Sequence, residues 1–128
     1  MTRPATLALL AALLLPSASA AQAPASQMPA AGPNGGTMVT VEGHGVEMVA
    51  NGTELALFLT DEGGAPAAAR AGARAVVQEG GRTTTVPLTP GAPNRLVGVL
   101  PAPLGQGARV VVSATLADGH QVQARFVK

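Results

Sequence analysis

The chain predicts an all-β protein: an antiparallel β-sandwich of about seven to nine short strands, preceded by a signal peptide and a flexible linker. Three observations carry that expectation. From Thr37 onward, short apolar runs are broken by turn-forming residues roughly every eight to twelve positions, the spacing of small sandwiches. Two of the breaks, Asn51-Gly52 and Asp118-Gly119, hold residue types that accept positive φ and so close hairpins. No stretch of ten or more residues after the leader carries an apolar stripe at helical spacing.

The leader comes first. Arg3 supplies a positive start, and "TLALLAALLLP" (6–16) is apolar but shorter than the ~20 residues a spanning helix needs. Ala18-Ser19-Ala20 fits a small-residue cleavage site, which places the cut after Ala20 and sends the mature chain out of the cytoplasm. Alanine, glycine, proline and arginine dominate, and Lys128 is the one lysine. That bias fits a GC-rich bacterial genome, so the expected address is a Gram-negative periplasm or, otherwise, the secreted space. Residues 21–36, "AQAPASQMPAAGPNGG", read as a disordered linker because they offer almost nothing large and apolar to bury. Residues 37–128 are left as one domain.

Within that domain the strands are expected at 37–41, 44–50, 53–60, 66–70 (weak), 73–79, 82–88, 95–100, 108–116 and 121–127. The alanine-rich 65–75 could instead form a short helix, although Gly72 and the lack of Leu or Ile argue against a long one. Pro87 marks a strand end or an edge position. "PAPLGQG" (101–107) is a longer connection.

Pairing arithmetic tests the scheme. A Glu42-Gly43 turn sets Val41 opposite His44 and Val39 opposite Val46. A two-residue Asn51-Gly52 turn sets Met48 opposite Leu55 and Val46 opposite Leu57. Three strands then present one apolar face of Val39, Val41, Val46, Met48, Leu55, Leu57 and Leu59. For the last hairpin, an even turn would mix apolar with polar partners. A three-residue or bulged loop restores the match, with Val122, Ala124 and Phe126 beside Leu116, Ala114 and Val112 and with Gly119 at positive φ.

Composition excludes several functions. Without Arg3, seven basic side chains face seven acidic ones, and the arginines are scattered along the chain. Such a chain has no electrostatic footprint for nucleic acid or anionic lipid. With no Trp, no Tyr and two Phe, it lacks the aromatic platforms that carbohydrate or single-stranded nucleic acid would stack on. With no cysteine there is no disulfide framework, no lipoprotein anchor and no thiol nucleophile. No serine lies in a G-x-S-x-G elbow, and His44 and Glu47, three apart on a strand, face opposite ways. Asp61-Glu62 and Asp118-x-His120 read as turn composition. The chain is therefore expected not to be an enzyme.

Metal binding is the remaining chemistry. The stretch "GPNGGTMVTVEGHGVEM" (32–48) gathers Met38, His44, Glu47 and Met48, and thioether and imidazole ligands suit copper, while imidazole and carboxylate suit zinc. The strand pattern separates them. Met38 and Glu47 point away from the face of His44, and Met48 shares that face but lies roughly 13 Å along the strand at ~3.3 Å per residue. Metal–ligand bonds of ~2.0–2.3 Å cannot span that gap. His44, Met38, Met48 and Glu47 are thus not expected to converge as one site. Any cofactor role for copper or zinc would have to recruit His120 or the Met28 segment. Met48 is expected in the core, Met38 at the surface and His44 at the rim of the sheet. Phe58 alternates away from the leucines and faces Gly45 in this register; it is either covered by a loop or an apolar spot for an envelope protein partner.

Taken in order, "GPNGGTMVTVEGHGVEMV", "LALFLTDEGGAP", "GARAVVQEGG", "VPLTP…NRLVG" and "GARVVVSATLADGHQVQARF" resemble a group of small exported bacterial β-sandwich domains. Similar modules occur within periplasmic adaptor subunits of heavy-metal efflux systems. The resemblance implies an immunoglobulin-like sandwich and a role near copper or other cation homeostasis. Its relatives often carry histidine in the Pro-x-Gly-Gly lead-in, where this chain has Asn34. The combined expectation is a non-enzymatic periplasmic binding module in envelope metal handling. The alternative is a structural or protein-interaction sandwich with no metal.

Overall fold

A computed structural model of the protein describes residues 27–128; the expected leader and residues 21–26 of the expected linker lie outside the described residues. The described chain forms ten strands and no α-helix. They are β1 (Ala30–Ala31), β2 (Thr37–Val41), β3 (His44–Asn51), β4 (Glu54–Thr60), β5 (Arg74–Glu79), β6 (Arg82–Pro87), β7 (Thr89–Gly91), β8 (Arg95–Val99), β9 (Arg109–Thr115) and β10 (Gln121–Val127). Every pairing is antiparallel. The first sheet runs β1-β2-β3-β4-β8-β7 and the second β10-β9-β5-β6.

Alternation along the strands builds the core. Val39, Val46, Met48, Leu55, Leu57, Leu59 and Leu96 of the first sheet are buried in one cluster with Ala75, Val77, Val110, Val112, Ala124 and Phe126 of the second. The apolar face expected for β2–β4 is thus the inner face, with Val41 partly buried at its margin. Burial of such side chains supplies about 1.5–3 kcal/mol each, and two sheets without disulfides must rest on it. Gly98 lets the layers close: a Cβ there would meet Leu88 and Val86 at 2.8 Å, so the β6–β7 corner lies directly over β8.

The hairpins follow turn chemistry. Glu42 (φ 50) and Gly43 (φ 84) both take positive φ, as a type I′ turn requires, and Val41 pairs with His44 as expected. The next register differs from the expected one by two residues. Asn51 pairs with Glu54, so Gly52-Thr53 is the central pair, and positive φ falls on Gly52 (φ 59) and not on Asn51. That is the pattern of a type II′ turn, which needs glycine first, and it sets Met48 opposite Leu57 and Val46 opposite Leu59. A shift of two keeps every side chain on its face, which explains why the core list survives the change.

Four further differences are instructive. Within the stretch expected to be linker, Ala30-Ala31 pairs with Thr37 and Met38, although neither alanine has an apolar pattern to announce it. The expected strand at 66–70 is a crossover held by two isolated bridges, Pro66 to Thr60 in the first sheet and Ala69 to Leu116 in the second. Thr89-Pro90-Gly91 adds a short edge strand after Pro87, which ends β6 on the other sheet's edge. Three arginines that look scattered in sequence, Arg74, Arg109 and Arg125, alternate with buried neighbours and share the outer face of the second sheet.

Candidate metal centre

His44 opens β3 immediately after the Glu42-Gly43 turn. Its parity with Val46 and Met48 puts the imidazole on the inner face, one position beyond the last β3–β4 pair, Gly45 with Thr60. The ring is therefore at the open end of the two layers and not on an exposed rim. His44 is 4 % exposed, against the rim position expected from sequence.

What covers it comes from the other sheet. The β9–β10 connection is a three-residue loop, Ala117-Asp118-Gly119, closed by Leu116 N–H donating to His120 O at 2.8 Å, with Gly119 at φ 94. The loop length and the glycine conformation are those expected; the pairs are Val122 with Ala114 and Phe126 with Val110, again two residues from the expected register. The crossover pins the base of this loop, since Arg70 N–H donates to Thr115 O at 2.7 Å and Arg70 Nη2 to Ala117 O at 3.0 Å.

Here the loop brings His120 over His44, with ring centroids 5.3 Å apart and planes at 46°. Asp118 completes the cluster. Its Oδ1 accepts from the His120 backbone N–H at 2.9 Å and its Oδ2 lies 2.8 Å from His120 Nδ1. One donor atom from each of His44, Asp118 and His120 lies within 4.8 Å of the other two. The His120 backbone N–H, followed by its ring, holds the Asp118 carboxyl below the usual range. The hydrogen bond to Asp118 raises His120 above the usual imidazole value, helped by the Asp118 charge and by Glu62 and Glu42. Glu62 lies across the Glu42-Gly43 turn, its Cγ 3.0 Å from where a Cβ on Gly43 would sit.

His44 itself has no such support. Its Nδ1 is buried and has no hydrogen-bond partner among the described residues. The other atom in that condition is Arg95 Nε, but Arg95 is 43 % exposed and its Nη2 pairs with Glu54 at 2.8 Å. A buried polar atom left unpaired costs about 1–3 kcal/mol, so an orphan on a nine-tenths buried imidazole calls for a partner from outside the chain, a water or a bound ion.

The remaining residues singled out in the sequence lie elsewhere. Met48 is core. Met38 pairs with Glu47 on the outer face of β2–β3. Glu47 is buried, yet its carboxylate accepts from Asn34 N–H at 2.9 Å, Asn34 Nδ2 at 2.9 Å and Gly36 N–H at 2.9 Å. It ties the Pro33-Asn34-Gly35-Gly36 lead-in to the sheet and has no spare lone pair aimed at the histidines. Phe58 is half-buried on that outer face, paired with Glu47 and Arg95 and not with Gly45. Of the five metal candidates the structure unites His44 and His120 and leaves Met38, Met48 and Glu47 apart. Asp118 is the residue that sequence reasoning passed over as turn composition. Its signal was Asp-Gly-His at the hairpin tip, where an aspartate that bonds the N–H two residues on also meets the ring of that residue. No protein-family model, curated protein or solved structure matches the chain, so the reading of the site rests on its geometry.

Proposed function

We propose that this protein is a non-enzymatic accessory module of the cell envelope that binds a metal cation, built on an immunoglobulin-like sandwich and exported by its leader. One observation carries the reading: His44 and, 76 residues on in the other sheet, His120 with Asp118 each bring a donor atom within 4.8 Å of the others, and the buried His44 ring has a nitrogen, Nδ1, with no hydrogen-bond partner among the described residues. Imidazole and carboxylate are metal ligands, and carboxylate bound to a histidine is the usual way its ring is oriented toward a metal. Support for export comes from Arg3, the 6–16 apolar run and Ala18-Ser19-Ala20; among the described residues no helix is long and apolar enough to cross a membrane.

A hydrolytic reading finds little to work with. Ser113, the one serine among the described residues, lies in β9 on the outer face of the second sheet, away from both histidines. Isothermal titration of the protein with Cu(I), Cu(II) and Zn(II) tests the proposal. Binding of one equivalent that is lost in His44→Ala supports it. Binding weaker than about 10 μM for all three ions would remove it and leave the structural or protein-interaction module.

A further inference from the structure

Resting on that reading, we infer that the cation is a divalent ion of the Zn²⁺ and Cu²⁺ class, taken by His44, His120 and Asp118, and that its binding fastens the two sheets together at this end. Cu⁺ is the wrong ion for this set. Soft cations select thioether and thiolate sulfur; the chain has no cysteine, Met48 is buried in the core, and Met38 lies on the outer face. Ca²⁺ and Mg²⁺ require six or more oxygen ligands, and two of the three donors here are imidazoles. Two nitrogens and one oxygen suit borderline divalent ions, which follow the order Cu²⁺ above Zn²⁺ at a site with no imposed geometry.

Charge points the same way. Asp118 provides one negative charge among the donors, and Glu62 and Glu42 both act electrostatically on His120 from the neighbouring turns. With neutral imidazoles, these three carboxylates more than offset the two charges of a dication. Geometry allows closure. Ligands on a tetrahedral zinc are separated by about 3.3 Å for bonds of ~2.0–2.1 Å, and the three donors lie within 4.8 Å of one another, so small side-chain movements bring them to that spacing. The side chains free to do it are those of His120 and Asp118, which are 60 % and 52 % exposed, whereas His44 is held by the core. Their exposure also leaves the fourth position open to water or to a donor from outside.

Because His44 belongs to the first sheet and Asp118 and His120 to the second, coordination adds a cross-link where the layers are otherwise joined by packing. Saturation at 100 times Kd stabilises the folded form enough to raise Tm by about 10 °C in a domain of this size.

Metal-stripped full-chain protein is titrated with Cu²⁺, Zn²⁺ and Cu⁺, each against a chelator of known affinity, with thermal melts in parallel and electron paramagnetic resonance of the Cu²⁺ form. The expected result is one equivalent of Cu²⁺ or Zn²⁺, two imidazole nitrogens in the Cu²⁺ spectrum, and a raised Tm. His44→Ala and His120→Ala each weaken binding at least about tenfold, and Met38→Leu leaves it unchanged. His120 is exposed, so His120→Ala carries the test if His44→Ala fails to fold. Tight Cu⁺ binding with weak Cu²⁺ and Zn²⁺ binding, or divalent binding indifferent to His120→Ala, overturns this inference while leaving a metal-binding module. No binding of any ion overturns both.

Discussion

Three residues apart on β3, His44 and Glu47 are the two buried polar side chains of the domain as described, at 4 % and 2 % exposure, and their situations are opposite. Glu47 faces outward and is covered by a lead-in that supplies three donors to its carboxylate. His44 faces inward and has a buried nitrogen that nothing satisfies. A buried polar group fully bonded by its own chain is a structural fastener. One left unbonded, beside a second histidine and a carboxylate, is a place for something the chain does not contain. Burial alone would rank the two alike; the hydrogen-bond accounting separates them.

That contrast can be broken by substitution. Glu47→Ala strands the Asn34 and Gly36 N–H groups and opens a hole under the lead-in. The expected loss is about 3–4 kcal/mol in urea unfolding, with Glu47→Gln losing less because it keeps one acceptor oxygen. A loss under 1 kcal/mol would mean the lead-in is not fastened by this carboxylate. His44→Leu should act in the other direction on the metal-free protein. It removes an unsatisfied nitrogen and adds apolar contact, so stability is unchanged or rises by up to about 1 kcal/mol while cation binding disappears. A destabilisation of 2 kcal/mol or more would place His44 with Glu47 as a fastener.

Smaller effects sharpen the picture of the acidic turns. Glu42 holds a left-handed conformation at φ 50 without being glycine. Glu42→Gly relieves that strain and should raise stability by about 0.5–1 kcal/mol, while weakening the cation site through loss of charge. The smallest effect is that of pH. Since the His120 pKa is raised, its share of the pair's stability is complete below an ordinary imidazole value of 6.5 and fades as pH climbs through the raised one. Since the Asp118 pKa is lowered, its share is present above 3.8 and fades as pH falls through the lowered value. The pair therefore contributes fully between about pH 4 and 6.5 and only slightly, because both side chains are exposed. In a proton NMR titration of the metal-free protein, Asp118→Asn should bring the His120 midpoint down toward 6.5; an unchanged midpoint would show that the carboxylate does not hold the ring.

Much of the architecture was legible because β-structure has a period of two. Alternation in β2, β3 and β4 assigned Val39, Val46, Met48 and the leucines to one face, and a register error of two residues left that assignment intact. The same periodicity showed that Met38, Met48 and Glu47 could not join His44, since it separates neighbours on a strand. Turn chemistry located Glu42-Gly43, and apolar matching gave an odd-length loop with Gly119 at positive φ, though in a register two residues from that of the observed Ala117-Asp118-Gly119 loop. Short pairings such as Ala30-Ala31 and Thr89-Pro90-Gly91 were invisible, for they depend on a neighbour's free edge and have no pattern of their own.

By itself, then, the sequence determined the strand faces, the Glu42-Gly43 turn and the apolar residues of β2–β4 that join the core, all of which follow from local stereochemistry and from water's exclusion of apolar side chains. Tertiary structure alone decided that the β9–β10 loop lies across the start of β3. That contact is set by how two sheets stack and by where the 61–73 crossover pins Thr115 and Ala117, neither of which leaves a local signature. It turned an isolated histidine and an ordinary Asp-Gly-His turn into one candidate site.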